Sequence, residues 1–248
     1  STSGSTGDIK FVKLSTKNIL SNTKSICKYL RISKKDVAIT SLPLSYSYGL
    51  SIINTHLYSG AKVVINTNSI VEKNFWKKFE LEKVSSFSGV PYSFEILDKI
   101  KIFEKNLKNL KYFTVAGGAI DVNLLKKIYT YCKEKNIKII NMYGQTEATT
   151  RISYLPWKKL NKKFGSIGVP IPKGTIYIKN EKKKIIKKPY QSGELVYKGN
   201  NVMIGYASKL NDLSLKRTNN YELCTGDLGY FDNENYLFLN GRKKRIVK

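Results

Sequence analysis

Residue types that often carry catalysis or metal binding are scarce in this 248-residue sequence, which has one His and three Cys. His56 lies in a helix-like stretch at 50–58 and is expected to be structural, so Ser-His-Asp catalysis has no plausible base. Cys27, Cys132 and Cys224 form no CxxC pair, which favours structural thiols in a reducing cytosol over a disulfide or zinc framework. We therefore expect a cytoplasmic location.

Long apolar runs and acidic residues are also in short supply. No window approaches the roughly 18 uninterrupted apolar residues of a membrane span, and the segment Ser1-Thr2-Ser3-Gly4 is not an apolar signal segment. We expect no membrane span and identify no targeting segment. The 44 Lys plus Arg against 18 Asp plus Glu leave a net charge of +26, which by itself would indicate a polyanion partner such as nucleic acid.

The make-up of that charge weakens the nucleic-acid interpretation. Only five basic residues are Arg, the side chain that grips phosphate through two parallel hydrogen bonds, and the 39 Lys are spread along the whole chain. The sequence is also rich in Asn and Ile and has only six Ala, a joint bias typical of an AT-rich coding background. We expect no nucleic-acid partner. A basic nucleic-acid binder stays an alternative that requires lysines clustered on one face.

Up to about residue 145, helix-like and strand-like segments alternate, which predicts an α/β layer with a mainly parallel sheet. In the first helix, Thr16 is a candidate N-cap, and Ile19, Ile26 and Leu30 lie near one face. In the last helix, Asp121 can act as N-cap, and Leu124, Ile128 and Cys132 repeat at helical spacing and predict a buried stripe. The predicted helices are 15–30, 50–58, 70–83, 91–105 and 121–136, and the predicted strands are 63–65, 85–89, 111–116 and 137–142.

After residue 150 the sequence pattern changes. Gly and Pro interrupt the chain, and short segments follow in which apolar and polar residues alternate. The segments Thr175 to Lys179 and Gly193 to Lys198 are typical of β-hairpins. Lysines on both sides of Ile185-Ile186 are most simply the solvated ends of such a hairpin. The sequence therefore predicts an α/β subdomain over 1–150 and a small β-rich subdomain over 151–240.

The first ten residues are rich in Gly and hydroxyl groups and end in Lys10. Glycine lets the backbone approach a phosphate, amides and hydroxyls donate hydrogen bonds to its oxygens, and the ammonium group neutralises its charge. The segment is not the Walker pattern, because Lys10 follows Gly7 by three residues and no Ser or Thr follows the lysine. It predicts a phosphate loop, with a flexible terminus as the alternative.

Residues 2–10 resemble the phosphate loop of the adenylate-forming enzymes, with Ile9 where that family usually has Pro. This superfamily comprises acyl- and aryl-CoA synthetases, adenylation domains of nonribosomal peptide synthetases, and luciferases. Further segments resemble its motifs in the same order. They are Gly117-Gly118-Ala119 at the adenine-side loop, 141–147 at the YGxTE segment, 193–206 at the GEL…GY segment, Thr225-Gly226-Asp227 at the TGD, and 241–248 at the hinge.

The resemblance implies ATP-dependent activation of a carboxylic acid to an acyl-adenylate, with release of pyrophosphate, followed by transfer to a thiol. ATP and Mg²⁺ are the implied cofactors. Coenzyme A or the phosphopantetheine of a carrier protein is the implied acceptor, which makes an acyl carrier protein a candidate partner beside the small carboxylic acid. Since an anionic acid must attack a polyanion, charge screening by the metal and by cationic side chains should be the main catalytic effect.

The resemblance also assigns roles to residues. Thr146, Glu147 and Lys10 are catalytic, and Glu147 is the magnesium ligand, a hard oxygen donor suited to that ion. Tyr143 would lie beside adenine, Asp227 would accept from the ribose hydroxyls, and Arg242 would add a ribose or phosphate contact. The implied nucleotide-binding set is Thr2, Ser3, Gly4, Ser5, Thr6, Gly7, Lys10, Gly117, Gly118, Ala119, Tyr143, Gly144, Thr146, Asp227 and Arg242, the acyl pocket is Tyr46, Tyr48, Gly49, Val90 and Pro91, and Lys244 is the hinge residue.

Two differences from the patterns of related families bear on the identity of the substrate. Tyr46 stands where many acyl-CoA synthetases have His. Amino-acid adenylation domains place an Asp in this region to pair the substrate ammonium, whereas no acidic residue lies between Leu42 and Gly60. A free acid without an α-ammonium is therefore favoured. An amino-acid adenylation domain and a non-catalytic remnant that binds a nucleotide or a carrier protein stay open as alternatives.

By resemblance, the chain is a partial domain of the adenylate-forming fold. The β-rich part should be a distorted, barrel-like subdomain, and 241–248 should lead to an absent C-terminal domain that carries a further catalytic lysine. The family also has a stretch of large domain before the phosphate loop. We therefore expect a fragment of such a ligase.

Overall fold

The computed structural model describes residues 2–3, 9–214, 216–217 and 219–243, with residues 2, 3, 9 and 10 described through their backbone alone. The helices are α1 Thr16–Leu30, α2 Ser47–Tyr58, α3 Lys73–Leu81, α4 Pro91–Lys99 and α5 Val122–Glu134, with 3-10 turns at Ile102–Glu104, Thr146–Ala148, Trp157–Lys162 and Leu210–Ser214. The strands are β1 Thr2–Ser3, β2 Ile9–Lys13, β3 Val37–Ile39, β4 Lys62–Val64, β5 Ser86–Gly89, β6 Tyr112–Val115, β7 Lys138–Tyr143, β8 Ser153–Tyr154, β9 Ser166–Pro170, β10 Thr175–Lys179, β11 Ile185–Ile186, β12 Gly193–Lys198, β13 Gly205–Ala207, β14 Glu222–Phe231 and β15 Leu237–Arg242.

One 12-stranded sheet, in the order β11-β10-β12-β14-β15-β9-β8-β7-β6-β5-β3-β4, runs through the described part of the chain. The five strands from β4 to β7 are parallel, and every pair from β7 to β11 is antiparallel. The predicted α/β fold with a parallel layer and a β-rich continuation is confirmed. Because this order ends at β11 and β4, the barrel-like closure stays a prediction. A separate sheet has the order β1-β2-β13.

The parallel strands are buried on both sides, as expected for a sheet covered by helices. All residues of β5 and β6 are buried. Phe87 and Phe113 from these strands pack edge to face against each other and against Phe94 of α4. These ring contacts hold β5, β6 and α4 together, and the segments that follow the carboxyl ends of the strands form the candidate site.

Helix α5 agrees with its prediction at the N-terminus. The Asp121 carboxylate accepts hydrogen bonds from the amides of Asn123 and Leu124, both at 2.9 Å. The buried stripe is centred on Leu125, Ile128 and Cys132, whereas Leu124 is half-buried. The predicted stripe is therefore confirmed at Ile128 and Cys132, and Leu124 packs against the same core from the edge of the stripe.

Helix α1 corrects two expectations. Its N-cap is Ser15 and not Thr16, because the Ser15 hydroxyl accepts from the Asn18 amide and the Asn18 side chain accepts from the Ser15 amide. Its most buried positions are mainly polar, and among the predicted apolar residues only Ile26 is fully buried. The reason is that this helix faces loop backbone.

Three polar side chains carry that contact. The Asn18 amide donates to the carbonyl oxygens of residues 200 and 202, the Asn22 amide to that of residue 151, and the Ser25 hydroxyl to that of residue 172. Buried carbonyl groups need such donors. Helix α1 thus joins the α/β layer to loops of the β-rich part.

Other predicted elements are confirmed with shifted ends. The predicted helix 91–105 stops at Lys99, and the left-handed backbone of Lys101 separates it from a 3-10 turn. His56 is buried in α2, where Nδ1 lies 2.8 Å from the Ile52 carbonyl oxygen and burial lowers the pKa of the imidazole. The expected structural role of this histidine is confirmed. Among the described residues, no helix combines the length and apolar character needed to cross a membrane.

Candidate nucleotide and acyl site

The predicted site residues follow the carboxyl ends of neighbouring parallel strands. Val90 follows β5, Gly117 to Ala119 follow β6, and Gly144 to Glu147 follow β7. In open α/β sheets, ligands bind at this edge, where loops from adjacent strands meet. The topology thus brings together segments that lie up to about sixty residues apart in sequence.

Asp227 is the centre of a hydrogen-bonded cluster. Its Oδ2 accepts from the Tyr143 hydroxyl at 2.6 Å and from Gln145 Nε2 at 2.8 Å, and its Oδ1 pairs with Arg242 Nε at 2.9 Å. Asp227 and Arg242 are cross-strand partners in β14 and β15, which fixes their approach. The structure therefore brings together three of the predicted nucleotide-binding side chains, Tyr143, Asp227 and Arg242.

The backbone around Asp227 is held from two sides. Its amide donates to the Thr225 hydroxyl, and that hydroxyl donates to the Leu195 carbonyl of β12. Gln145 Nε2 also donates to the Thr225 carbonyl at 3.0 Å. The segment around Leu195 therefore supports the carboxylate through Thr225, and the turn after β7 contacts it from the other side.

Gln145 is a residue of this cluster that the sequence argument did not single out. It occupies the variable position of the YGxTE segment, so the resemblance assigns it no role. Two features of the sequence could have indicated a role for Gln145. Its side-chain amide is a hydrogen-bond donor two residues after Tyr143, and it follows the end of a predicted strand. Its contacts to Asp227 and Thr225 show that it ties the α/β layer to β14.

Within this cluster, the surroundings of Tyr143 keep its phenol protonated. Burial, together with the charge of Asp227, raises the pKa of Tyr143 well above its ordinary value, so the phenol stays a neutral donor. The side chain of Asp227 is 13% exposed and that of Arg242 is 56% exposed. One edge of the ion pair is therefore open to solvent and to an incoming ligand.

The two predicted catalytic residues of this region lie in the 3-10 turn after β7. Thr146 Oγ1 is 3.3 Å from Ser47 Oγ at the start of α2. Glu147 accepts a hydrogen bond at Oε1 from the Tyr206 hydroxyl at 2.8 Å, and its carbonyl accepts from the Met203 amide at 2.7 Å. Both side chains are half-buried.

Gly144 permits the turn that carries these residues. A Cβ at this position would lie 1.8 Å from the Thr150 carbonyl oxygen and 2.8 Å from Arg151 Cα. The two backbone segments approach so closely that only glycine fits without movement. The predicted nucleotide-binding glycine is thus explained by packing, and its contact with a nucleotide stays a prediction.

Part of the predicted acyl pocket is brought together at the neighbouring strand end. A Cβ on Gly117, whose φ is +88°, would meet Tyr46 Oη at 2.6 Å and Val90 Cγ1 at 3.2 Å, and a Cβ on Gly118 would meet Pro91. Gly117, Gly118 and Ala119 are exposed, and Tyr46 is 36% exposed. The tyrosine ring therefore borders an accessible glycine surface.

Two further members of the predicted acyl pocket are interior residues. Tyr48 is 2% exposed, its hydroxyl lies 2.7 Å from Thr114 Oγ1, and the Arg151 guanidinium lies 3.9 Å from the centre of its ring. Gly49 packs against the Pro43 carbonyl. Contacts within the chain cover both residues, and their part in an acyl pocket stays a prediction.

The remaining predicted residues are described in part or not at all. Thr2, Ser3 and Lys10 lie in the β1–β2 ladder, where Thr2 opposes Lys10 and Ser3 opposes Ile9. Their side-chain roles stay predictions. Gly4, Ser5, Thr6, Gly7 and Lys244 lie outside the described residues.

The donor chemistry fits magnesium in one specific way. Within the described ranges, no group of three or more His, Cys, Asp or Glu side chains could form a protein cage for a metal. Mg²⁺ usually keeps several waters and binds through one or two carboxylates plus substrate phosphates. Glu147, a half-buried carboxylate at the strand edge, suits that mode of binding.

Comparison with known proteins gives a consistent answer. Residues 2–207 match the family model described as AMP-binding enzyme. The chain is 29% identical to 2-succinylbenzoate–CoA ligase of Bacillus subtilis (strain 168) over 99% of its length and 49% of that protein. It is 28% identical to long-chain-fatty-acid–CoA ligase of the same strain, covering 99% of this chain and 44% of that protein.

A solved structure shows the same fold. It is O-succinylbenzoate coenzyme A synthetase (MenE) from Bacillus subtilis in complex with ATP and magnesium ion, with a TM-score of 0.84, 29% identity, and coverage of 99% of this chain and 50% of that one. The chain therefore spans about half the length of the curated relatives it matches.

Proposed function

This chain belongs to the AMP-binding enzyme family, and from that premise we propose that it supplies the nucleotide and acyl site of an AMP-forming acid–thiol ligase. The ligase activates a carboxylic acid to an acyl-adenylate and then transfers the acyl group to a thiol. Support comes from the relatives, which are CoA ligases, and from the solved structure that contains ATP and magnesium ion.

The Asp227 cluster is the observation that carries this proposal. Three side chains, two from the end of β7 and the turn after it and one from β15, bind the Asp227 carboxylate at the edge of the parallel sheet. A carboxylate with one exposed edge is suited to accept hydrogen bonds from the two ribose hydroxyls. Gly117 to Ala119 leave an exposed backbone surface nearby against which a flat base can lie.

In the first half-reaction, a carboxylate oxygen of the acid attacks the α-phosphorus of ATP. A bond forms between that oxygen and phosphorus, the bond from phosphorus to the bridging β-oxygen breaks, and pyrophosphate leaves with the electron pair. The Thr146 hydroxyl donates a hydrogen bond to an α-phosphate oxygen, and Lys10 neutralises charge on the leaving phosphates. Glu147 would hold Mg²⁺, which when bound screens the negative charge between acid and ATP.

In the second half-reaction, a thiolate attacks the acyl carbonyl carbon, and AMP leaves with the electrons of the mixed-anhydride bond. We propose coenzyme A as the acceptor because the similar proteins are CoA ligases. A carrier-protein phosphopantetheine is the alternative acceptor. Three free cysteines fit the reducing cytosol that we propose as the location.

The substrate we propose is a carboxylic acid without an α-ammonium group. No acidic residue lies between Leu42 and Gly60, the segment that carries the start of α2, so an ammonium would find no charge partner there. Tyr46, Val90 and Gly117 offer an aromatic and aliphatic border instead. These residues suit an apolar tail or ring beside the reacting carboxylate.

The test is ATP–pyrophosphate exchange by the protein that carries this chain, driven by a panel of carboxylic acids and, separately, of α-amino acids. Exchange with acids lacking an amino group is expected, and exchange with α-amino acids alone would support an amino-acid adenylation domain. Calorimetry with ATP and AMP runs in parallel. Nucleotide binding without exchange would support a non-catalytic module, and absence of both would refute the proposal.

Glu147→Ala is expected to lower magnesium-dependent exchange by about 100-fold, the scale of one lost electrostatic contact at the reacting phosphates. Glu134→Ala is the matched control, because Glu134 is exposed at the end of α5, away from the strand edge. Equal activity of the two variants would exclude the metal-binding role of Glu147.

A further inference from the structure

A single short segment contacts Glu147 at two points. The Tyr206 hydroxyl donates to Glu147 Oε1 at 2.8 Å, and the Met203 amide donates to the Glu147 carbonyl at 2.7 Å. The segment 203–206 thus holds both the side chain and the backbone of this residue. Neither the resemblance nor the comparisons assign a role to Tyr206.

The same segment is attached to the strands that flank the phosphate loop. Tyr206 lies in β13, which pairs antiparallel with β2, with Tyr206 opposite Val12. Strand β2 pairs in turn with β1, and the candidate phosphate loop connects these two strands. Glu147 is therefore tied through Tyr206 to the small sheet from which the phosphate loop extends.

The hydrogen bond selects one oxygen of the carboxylate. Oε1 accepts from Tyr206, and Oε2 has no hydrogen-bond partner among the described residues, so Oε2 can act as a hard oxygen ligand. The contact also restricts the orientation of the long glutamate side chain.

We propose that Tyr206 is a positioning residue, which orients the Glu147 carboxylate toward a divalent cation on the phosphates and couples that carboxylate to the phosphate-loop sheet. This inference rests on the proposed function, since it assumes that Glu147 faces a metal–nucleotide complex. Tyr206 acts through Glu147 and need not touch the substrate.

The test is the variant Tyr206→Phe, which removes only the hydroxyl group that donates to Glu147. Mn²⁺ serves as the probe, and its binding to the protein in the presence of ATP is followed by water proton relaxation. Loss of a hydrogen bond to a charged group predicts Mn²⁺ binding that is about 10-fold weaker. Metal-free AMP binding and the thermal midpoint should match those of Tyr58→Phe, a control at an exposed tyrosine on α2. The side chain of Tyr206 is itself 44% exposed, so the variant should fold.

A double-mutant cycle separates this inference from the proposed function. If Tyr206 acts through Glu147, then Tyr206→Phe should have no further effect on Mn²⁺ binding in a Glu147→Ala background. Normal Mn²⁺ binding in Tyr206→Phe, together with a loss in Glu147→Ala, would overturn this inference and leave the proposed function intact. Unchanged Mn²⁺ binding in Glu147→Ala would overturn this inference together with the metal-binding role of Glu147, whereas the proposed ligase function is tested separately by ATP–pyrophosphate exchange. If Tyr206→Phe lowers metal-free AMP binding and the thermal midpoint below those of Tyr58→Phe, as well as Mn²⁺ binding, then Tyr206 has a structural role and the inference is overturned.

Discussion

Replacing Gly144 by Ala tests how far the strand-end turn depends on close backbone packing. The new Cβ would lie 1.8 Å from the Thr150 carbonyl oxygen, and real Cβ atoms keep at least 3.0 Å, so one backbone segment must move by about 1.2 Å. Overpacking of this kind costs about 1–3 kcal/mol. For a chain of this size, that corresponds to a melting temperature lowered by roughly 2–12 °C.

The same movement reaches the residues that follow Gly144. Thr146 and Glu147 lie in the next turn, and Thr150 and Arg151 form its other side. A displacement of about 1 Å at reacting groups can cost on the order of 100-fold in rate. Gly144→Ala should therefore lower ATP–pyrophosphate exchange by that order even at temperatures where the protein remains folded.

Gly205→Ala is the matched control for this substitution. Among the described residues, no atom lies within 4 Å of a Cβ on Gly205, and the φ of Gly205 is outside the left-handed region. Gly205 lies in a strand, where Ala is no worse than Gly. Thermal unfolding by calorimetry measures the stability of both variants. If Gly144→Ala and Gly205→Ala melt within 1 °C of each other, the steric argument is refuted.

Three further predictions concern the pH dependence of stability, the nucleotide site and helix α1. Burial opposes ionisation of Asp36, yet hydrogen bonds from Lys111 and Ser33 hold the pKa of its carboxyl below the usual value. The stabilisation that Asp36 contributes is therefore present at neutral pH and is lost as the pH falls through the folded-state pKa. Asp36→Asn should thus make the unfolding free energy, measured in urea, less dependent on pH on the acid side. Asp227→Asn removes the charge opposite its three donors and should weaken AMP binding about 10-fold by calorimetry. Asn18→Ala removes the side-chain donor of the residue 200 carbonyl and one of the two donors of the residue 202 carbonyl, which keeps Arg217, and it should lower the unfolding free energy by about 1–3 kcal/mol.

Two other side chains provide the controls. Asp98→Asn changes a carboxylate that is 30% exposed beside Lys127, and it should alter neither the acid profile nor AMP binding. Lys17→Ala, at an exposed position one residue before Asn18, should leave the unfolding free energy within about 0.5 kcal/mol. A loss in Lys17→Ala equal to that in Asn18→Ala would contradict the hydrogen-bond explanation.

Short-range sequence patterns were sufficient to predict many helices and strands of the α/β layer. Asp121 caps α5 as predicted, and the apolar stretch 111–116 forms β6, because capping and burial of short strands depend on neighbouring residues. The choice of Ser15 over Thr16 as N-cap depends on the Asn18 side chain completing a capping box. That reciprocal contact is also local. The N-cap predicted at Thr16 lies one residue too late because the side chain of Asn18 favours Ser15.

The site was less predictable because its contacts join distant segments. The resemblance placed Tyr143, Asp227 and Arg242 in one site, and the structure brings them together. It gave no role to Gln145, whose contact with Asp227 spans 82 residues of sequence. Tyr48 was predicted beside the substrate, yet Thr114 and Arg151 cover it from elements that are adjacent only in the folded chain.

The polar face of helix α1 has a consequence for the order in which the protein is made. The carbonyl groups that its side chains contact lie 129 to 184 residues further along the chain. At a synthesis rate of about 5–20 residues per second, those partners leave the ribosome on the order of 10 s after the helix does. During that interval Asn18, Asn22 and Ser25 bond to water and not to the β-rich part. The helix therefore takes its final place only after the loop that ends near residue 202 has been synthesised.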